Sequence, residues 1–161
     1  MKARIDYSKV SPGALQAMYG LERFVRGSGL PRNLVELVKL RVSQINGCAY
    51  CIDMHSKDLR AAGETEQRLY LLEAWREAPF YSDRERAAFA WAEALTLITD
   101  GHVPDAVFEQ ARSQFSEEEL VNLTLAVVAI NSWNRISISF RTEPGTYQPP
   151  KHQESNAKPA V

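Results

Sequence analysis

The chain has 161 residues, of which 45% are hydrophobic and 24% charged, and a formal net charge of −1. That length suits one domain with its own core, and the composition is ordinary for a globular protein. The balanced charge excludes the basic excess of a nucleic-acid binder and the acidic run of a solvated spacer.

Met1-Lys2-Ala3-Arg4 is followed by no apolar run, so the start is not read as a secretory signal. A cytoplasmic, reducing setting is expected, with neither membrane nor nucleic-acid partners. From there the punctuation is helical. Ser11-Pro12 offers an N-cap and a proline at N1, opening a helix with Leu15, Met18, Leu21, Phe24 and Val25 as apolar positions and Gly27-Ser28-Gly29 as its end. Pro31 starts a second helix to about Ile45, with Leu34, Val38, Val42 and Ile45 on one stripe. Asn46-Gly47 breaks the chain. A third helix is expected from Cys48 to about Ala62, with Gly63 at C′.

Thr65 suits the cap of a short helix carrying Leu69, Leu72 and Trp75, stopped by Pro79. Ser82 and Glu85 form a capping-box pattern before a helix with Ala88, Phe89, Trp91, Ala92, Leu95 and Ile98, closed by Asp100-Gly101. Pro104 opens another, with Val107, Phe108 and Ala111. Ser116 and Glu119 form a second capping box before a long helix to about Phe140. Leu120 to Phe140 is the most apolar stretch, but Asn122, Asn131, Asn134 and Arg135 interrupt it, so it reads as a buried helix. Its apolar residues lie nearly all round, which calls for cover on both sides: the chain's own core and a second subunit. Asn131, Asn134 and Arg135 need polar partners there, and an intersubunit network is expected to supply them. The fold class is all-α, with six or seven helices in a domain over 1–142 and a flexible tail over 143–161. No internal repeat is evident.

The chemistry concentrates in Gly47 to His55. This stretch holds the only two cysteines, Cys48 and Cys51, as C-x-x-C, and His55 follows four residues after Cys51. On a helix these spacings put all three side chains on one face. In a reducing compartment such a pair is more often catalytic or metal-binding than structural. A thiolate is the reactive form. Cys48 near a helix N-terminus gains from the dipole, and Cys51 has His55 as a base one turn along. Attack on a hydroperoxide gives a sulfenic acid, which a neighbouring thiol condenses to a disulfide, so turnover needs no metal or flavin cofactor. Two other readings stay open. Cys48, Cys51 and His55 could be three zinc ligands, but a closed site needs a fourth, and His102 and His152 lie far off in expected loop and tail. The thiols could also be inert core. Trp75, Trp91, Trp133 and Phe140 could line a pocket, although aromatics at helical spacing are mostly core.

Glu36, followed after eleven residues by Cys48-x-x-Cys51 and three later by His55, resembles the alkylhydroperoxidase AhpD core of the carboxymuconolactone decarboxylase family. The resemblance is tight over about Leu30 to Gly63 and looser as far as Asn131 to Arg135. It implies an all-helical trimer or hexamer. It implies a thiol peroxidase that reduces organic hydroperoxides, with electrons from a dithiol such as a lipoylated or thioredoxin-like protein. It makes Cys51 the peroxidatic cysteine, Cys48 the resolving one, and Glu36 and His55 a proton relay. The lactone decarboxylases of this fold lack the cysteine pair, which favours redox chemistry here. Tyr50 stands where AhpD carries a further histidine. A redox-sensing or disulfide-reductase oligomer is the alternative. Taken alone, Glu36 sits off the apolar stripe beside Lys39 and Ser43 and reads as a solvated glutamate.

Overall fold

The computed structural model describes residues 2–150. The distal tail, 151–161 with His152, lies outside the described residues. Among those described there are eight helices and no strand: α1 (Tyr7–Val10), α2 (Pro12–Gly27), α3 (Arg32–Asn46), α4 (Ala49–Ala61), α5 (Glu66–Tyr70), α6 (Asp83–Thr96), α7 (Asp105–Arg112) and α8 (Glu117–Phe140). The all-α expectation holds, and no helix is long and apolar enough to cross a membrane.

Several start and stop signals work as their chemistry requires, although Ser11 precedes α2 without a side-chain cap bond. Both capping boxes form, with the hydroxyls of Ser82 and Ser116 accepting from the amides of Glu85 and Glu119 while each glutamate accepts from the cap amide. Gly47 takes φ 67° after α3, a conformation that costs an L-residue about 1–2 kcal/mol. This left-handed residue turns the chain straight from α3 into α4. Sequence did not foresee α1, a single turn whose Tyr7 ring packs 5.8 Å from that of Phe140.

Helix α3 is the axis of the molecule, packed by α4, α6 and α8. Its burial is wider than one stripe. Leu37, Val38, Leu40 and Val42 are all at most 1% exposed, each contributing about 1.5–3 kcal/mol of burial free energy. Phe24 of α2, expected on an apolar stripe, is half exposed. Helix α6 ends at Thr96, so Ile98 lies beyond it and is exposed.

Two expectations need correction. The helix capped by Thr65 ends at Tyr70, and Leu72 and Trp75 reach the core from turns. Arg86 holds the turns that follow, its guanidinium donating to the carbonyls of Trp75, Arg76, Ala78 and Tyr81. One side chain thus satisfies groups that a continued helix would otherwise pair. The second concerns α8. Its asparagines find partners within the chain, so they do not require a second subunit to satisfy them. Asn46 donates to Oδ1 of both Asn131 (3.0 Å) and Asn134 (2.9 Å). Asn134 donates to Ser43 Oγ (3.1 Å), Asn131 donates to Thr96 Oγ1 (3.1 Å), and Arg135 donates back to Asn131. Asn134 is fully buried. Asn134→Ala is therefore expected to cost about 1–3 kcal/mol by removing a buried acceptor of Asn46 and a buried donor to Ser43, leaving them only Asn131 and the Lys39 carbonyl. A urea midpoint lowered at constant oligomer size checks this; a change of oligomer size alone contradicts it.

Beyond α8 the chain turns back. Residues 143–150, read from composition as loose, run along α4 and are tied to it. Gly145 N donates to Asp53 Oδ2 (3.0 Å), Lys57 Nζ donates to the carbonyls of Gly145 (3.3 Å) and Tyr147 (3.1 Å), and Tyr147 Oη donates to Asp58 Oδ1 (2.7 Å).

Candidate active site

The turn at Gly47 makes Cys48 the N-cap of α4 and Cys51 its third residue. Both sulfurs therefore lie at the helix's positive end, where free amides favour a thiolate. The dipole does not separate them, contrary to the expectation that it favours Cys48. The two are joined as a disulfide, with Cα atoms 5.3 Å apart. Both are at most 2% exposed.

Cys51 differs from Cys48 in facing a pocket of about 270 Å³, which Glu36, His55, Lys39, Glu22 and Trp133 also line. A smaller recess of about 80 Å³ shares Glu22, Glu36 and Lys39. Helix α3 brings Glu36 to α4, and Glu36 Oε2 lies 2.7 Å from His55 Nδ1. The four residues of the E…C-x-x-C…H pattern thus meet at the junction of α3 and α4. The reading of Glu36 as a solvated side chain fails for this reason.

Burial opposes the charge of Glu36. The hydrogen bond and charge of His55, with Lys39 and Arg32, outweigh it and hold the carboxyl at about 2, below its ordinary 4.5. An ionised carboxylate can only accept, so Nδ1 carries the proton toward Glu36. In the neutral ring that leaves the lone pair on Nε2, and Nε2 is buried without a hydrogen-bond partner. The arrangement is a carboxylate-oriented imidazole with a free basic nitrogen, one helical turn from Cys51.

Several participants escaped the sequence reading. Lys39 is 5% exposed. Its Nζ pairs with Glu22 at 2.7 Å and lies 3.9 Å from Glu36. Glu22 also accepts from the Trp133 indole at 3.1 Å. The available signal was a glutamate among the apolar positions of α2, four residues after Met18 and three before Val25. Of the aromatics weighed for a pocket, Trp133 lines it. Trp75 and Trp91 are core, and their indoles donate to Glu93 and Thr124.

For a metal, the described residues offer Glu36, His55 and Asp58, with one ligand atom each within 4.8 Å of one another. The zinc reading drew on the two cysteines, and they are not in this group. Within it Glu36 bonds His55 Nδ1 and Asp58 accepts from Tyr147. Exposed His102 sits in the loop before α7.

Residues 12–94 match the Carboxymuconolactone decarboxylase family, just over half of the chain. The chain belongs to the carboxymuconolactone decarboxylase family. Among family relatives, the uncharacterized protein YdfG of Bacillus subtilis is 47% identical over 140 residues, covering 87% of this chain and 95% of YdfG. A solved structure from Agrobacterium tumefaciens superposes with a TM-score of 0.88 at 46% identity, covering 91% of this chain and all of that one. That protein is of unknown function and has been provisionally assigned to antioxidant defence as AhpD. The alkyl hydroperoxide reductase AhpD of Bradyrhizobium diazoefficiens is 46% identical over 41 residues, 26% of this chain and 22% of that one. The family fold is thus AhpD-like here.

Proposed function

We propose that this protein is a thiol peroxidase that reduces organic hydroperoxides through a Cys48–Cys51 dithiol/disulfide cycle. The observation that carries the reading is the junction of α3 and α4. A closable cysteine pair, one member of which faces the pocket, stands one turn from an imidazole held by a carboxylate.

In the cycle, His55 Nε2 takes the Cys51 proton and the thiolate attacks the distal peroxide oxygen. The S–O bond forms, the O–O bond breaks, and the leaving alkoxide regains a proton from the His55–Glu36 pair to depart as alcohol. The Cys48 thiol then attacks the Cys51 sulfenic acid. The S–S bond forms, and the displaced oxygen leaves as water with the Cys48 proton. A dithiol partner, lipoylated or thioredoxin-like, returns two electrons and two protons by exchange. A cytoplasmic location supplies such donors. A trimer or hexamer accords with the exposed Val121 and Val128 on α8, 60% and 46% accessible.

The test is peroxide consumption by the full chain with dihydrolipoamide or a reduced thioredoxin as donor. Many turnovers per protein are expected. A single stoichiometric oxidation, followed by a change of oligomer size, identifies the redox-sensing alternative instead. That second reading draws on Tyr50. Burial, with the nearby Tyr7, Tyr19, Asp53 and Asp58, raises its phenol above the ordinary value, so it cannot serve as the base a histidine supplies.

A further inference from the structure

The pocket beside Cys51 is unusually rich in rings. Tyr7 of α1, Tyr19 of α2, Tyr50 of α4, Trp133 of α8 and Tyr147 of the C-terminal segment all line it. They come from five separate segments, so no single helical stripe explains their convergence. Tyr19 and Trp133 already pack on each other, with ring centroids 5.7 Å apart. Besides the phenols and Cys51, the titratable groups of the lining are Glu22 and Arg26 of α2, Glu36 and Lys39 of α3, and His55 and Asp58 of α4; Glu22 pairs with Lys39, Glu36 with His55, and Asp58 accepts from Tyr147. A volume of about 270 Å³ falls just under the range of about 300–1,000 Å³ that holds drug-sized ligands.

One wall is not part of the helical body. Tyr147 arrives on the returning segment, and every anchor of that segment, Asp53, Lys57 and Asp58, lies on α4, the helix of Cys51 and His55. The backbone bonds of Gly145 and Tyr147 to Asp53 and Lys57 hold the segment that carries the Tyr147 ring, and its hydroxyl donates to Asp58. Burial and that bond also keep its hydroxyl in the neutral form. The ring is therefore available as a flat apolar surface in a set position.

We propose that the pocket is an aromatic cage, completed by Tyr147, that selects compact aromatic hydroperoxides as substrate. The hydroperoxide end rests on the peroxidase reading above; the aromatic body rests on the five rings. Rings recognise rings by offset and edge contacts beyond area alone. A short polar head can reach the Cys51 end while a single ring fills the remainder. A long acyl chain exceeds the volume, and hydrogen peroxide leaves it unfilled.

Binding of the alcohol product tests this without turnover. The full chain, with its cysteine pair oxidised, is titrated by NMR with 2-phenyl-2-propanol and with tert-butanol. The aromatic alcohol is expected to bind about tenfold tighter or more, the value of one or two ring contacts. Tyr147→Ala should weaken it about five- to tenfold and leave tert-butanol within about twofold, while Tyr147→Phe keeps the preference because the ring remains. Equal affinities for the two alcohols overturn the proposal. So does unchanged binding in Tyr147→Ala, or loss of the preference in Tyr147→Phe, which assigns recognition to the hydroxyl. A chain that binds the aromatic alcohol yet consumes no hydroperoxide sinks the peroxidase reading alone. A chain that reduces cumene and tert-butyl hydroperoxides with equal KM sinks only the aromatic preference.

Discussion

Replacing Cys51 with serine is expected to reduce hydroperoxide consumption to the uncatalysed background, while Cys48→Ser retains one fast oxidation and then stalls. The asymmetry comes from position. Both sulfurs sit in the first turn of α4 and share its dipole, but Cys51 lines the pocket that also holds the Glu36–His55 pair. Without Cys51 there is no nucleophile at the peroxide. Without Cys48 the attack proceeds, but the sulfenic acid has no partner with which to condense. It should then be trapped by dimedone at Cys51 and seen as an adduct by mass spectrometry. An adduct at Cys48 in the Cys51→Ser protein, with the burst preserved there, assigns the attack to Cys48 instead. Undiminished turnover in both variants removes the dithiol cycle altogether.

Glu36→Gln is expected to slow thiol oxidation by about 10²-fold or more, within the range for losing a positioned general base. Glutamine keeps the shape and can still meet His55 Nδ1. It loses the charge that fixes the tautomer and supports an imidazolium. His55→Gln should cost a similar factor, and the double variant little more, because the two residues act as one unit. Additive losses in the double variant contradict the coupling.

The same substitution carries a stability signature with a defined sign. The folded carboxyl sits at about 2 against an ordinary 4.5. A depressed acid pKa contributes stability that is present in full above the unfolded value and is lost as pH falls toward the folded one. The contribution is of the order of 3 kcal/mol, and it disappears between pH 4.5 and 2. Urea midpoints of the parent chain should therefore fall more steeply through that window than those of Glu36→Gln. Parallel acid limbs in the two proteins exclude the Glu36–His55 pair as the cause.

Local signals proved readable wherever a residue's neighbours in sequence are also its partners in space. The two capping boxes, the left-handed Gly47 and the one-face spacing of Cys48, Cys51 and His55 are of this kind. Pro12, Pro31, Thr65 and Pro104 mark the remaining helix starts in the same local way. The fourth member of the site was different. Glu36 on a helical wheel is only a carboxylate off the stripe. It was marked by the family spacing and given its role by the packing of α3 against α4.

Other features depend wholly on long-range contacts. Arg86 holds the turns after α5 by donating to four carbonyls between Trp75 and Tyr81, which no propensity within residues 66–75 encodes. The α8 asparagines invited a partner subunit because their neighbours in sequence are apolar, yet Asn46, Ser43 and Thr96 meet them from other helices. Residues 143–150 have a loose composition and are held by polar bonds to α4 alone. The sequence by itself determined the all-helical class, most helix starts and the shared face of Cys48, Cys51 and His55, because each rests on contacts within about one turn. Only the tertiary structure decided which cysteine faces the pocket, that Glu36 orients His55, and that Tyr147 closes the wall. Each of these joins residues distant in the chain, and such encounters are set by the summed packing of the helices.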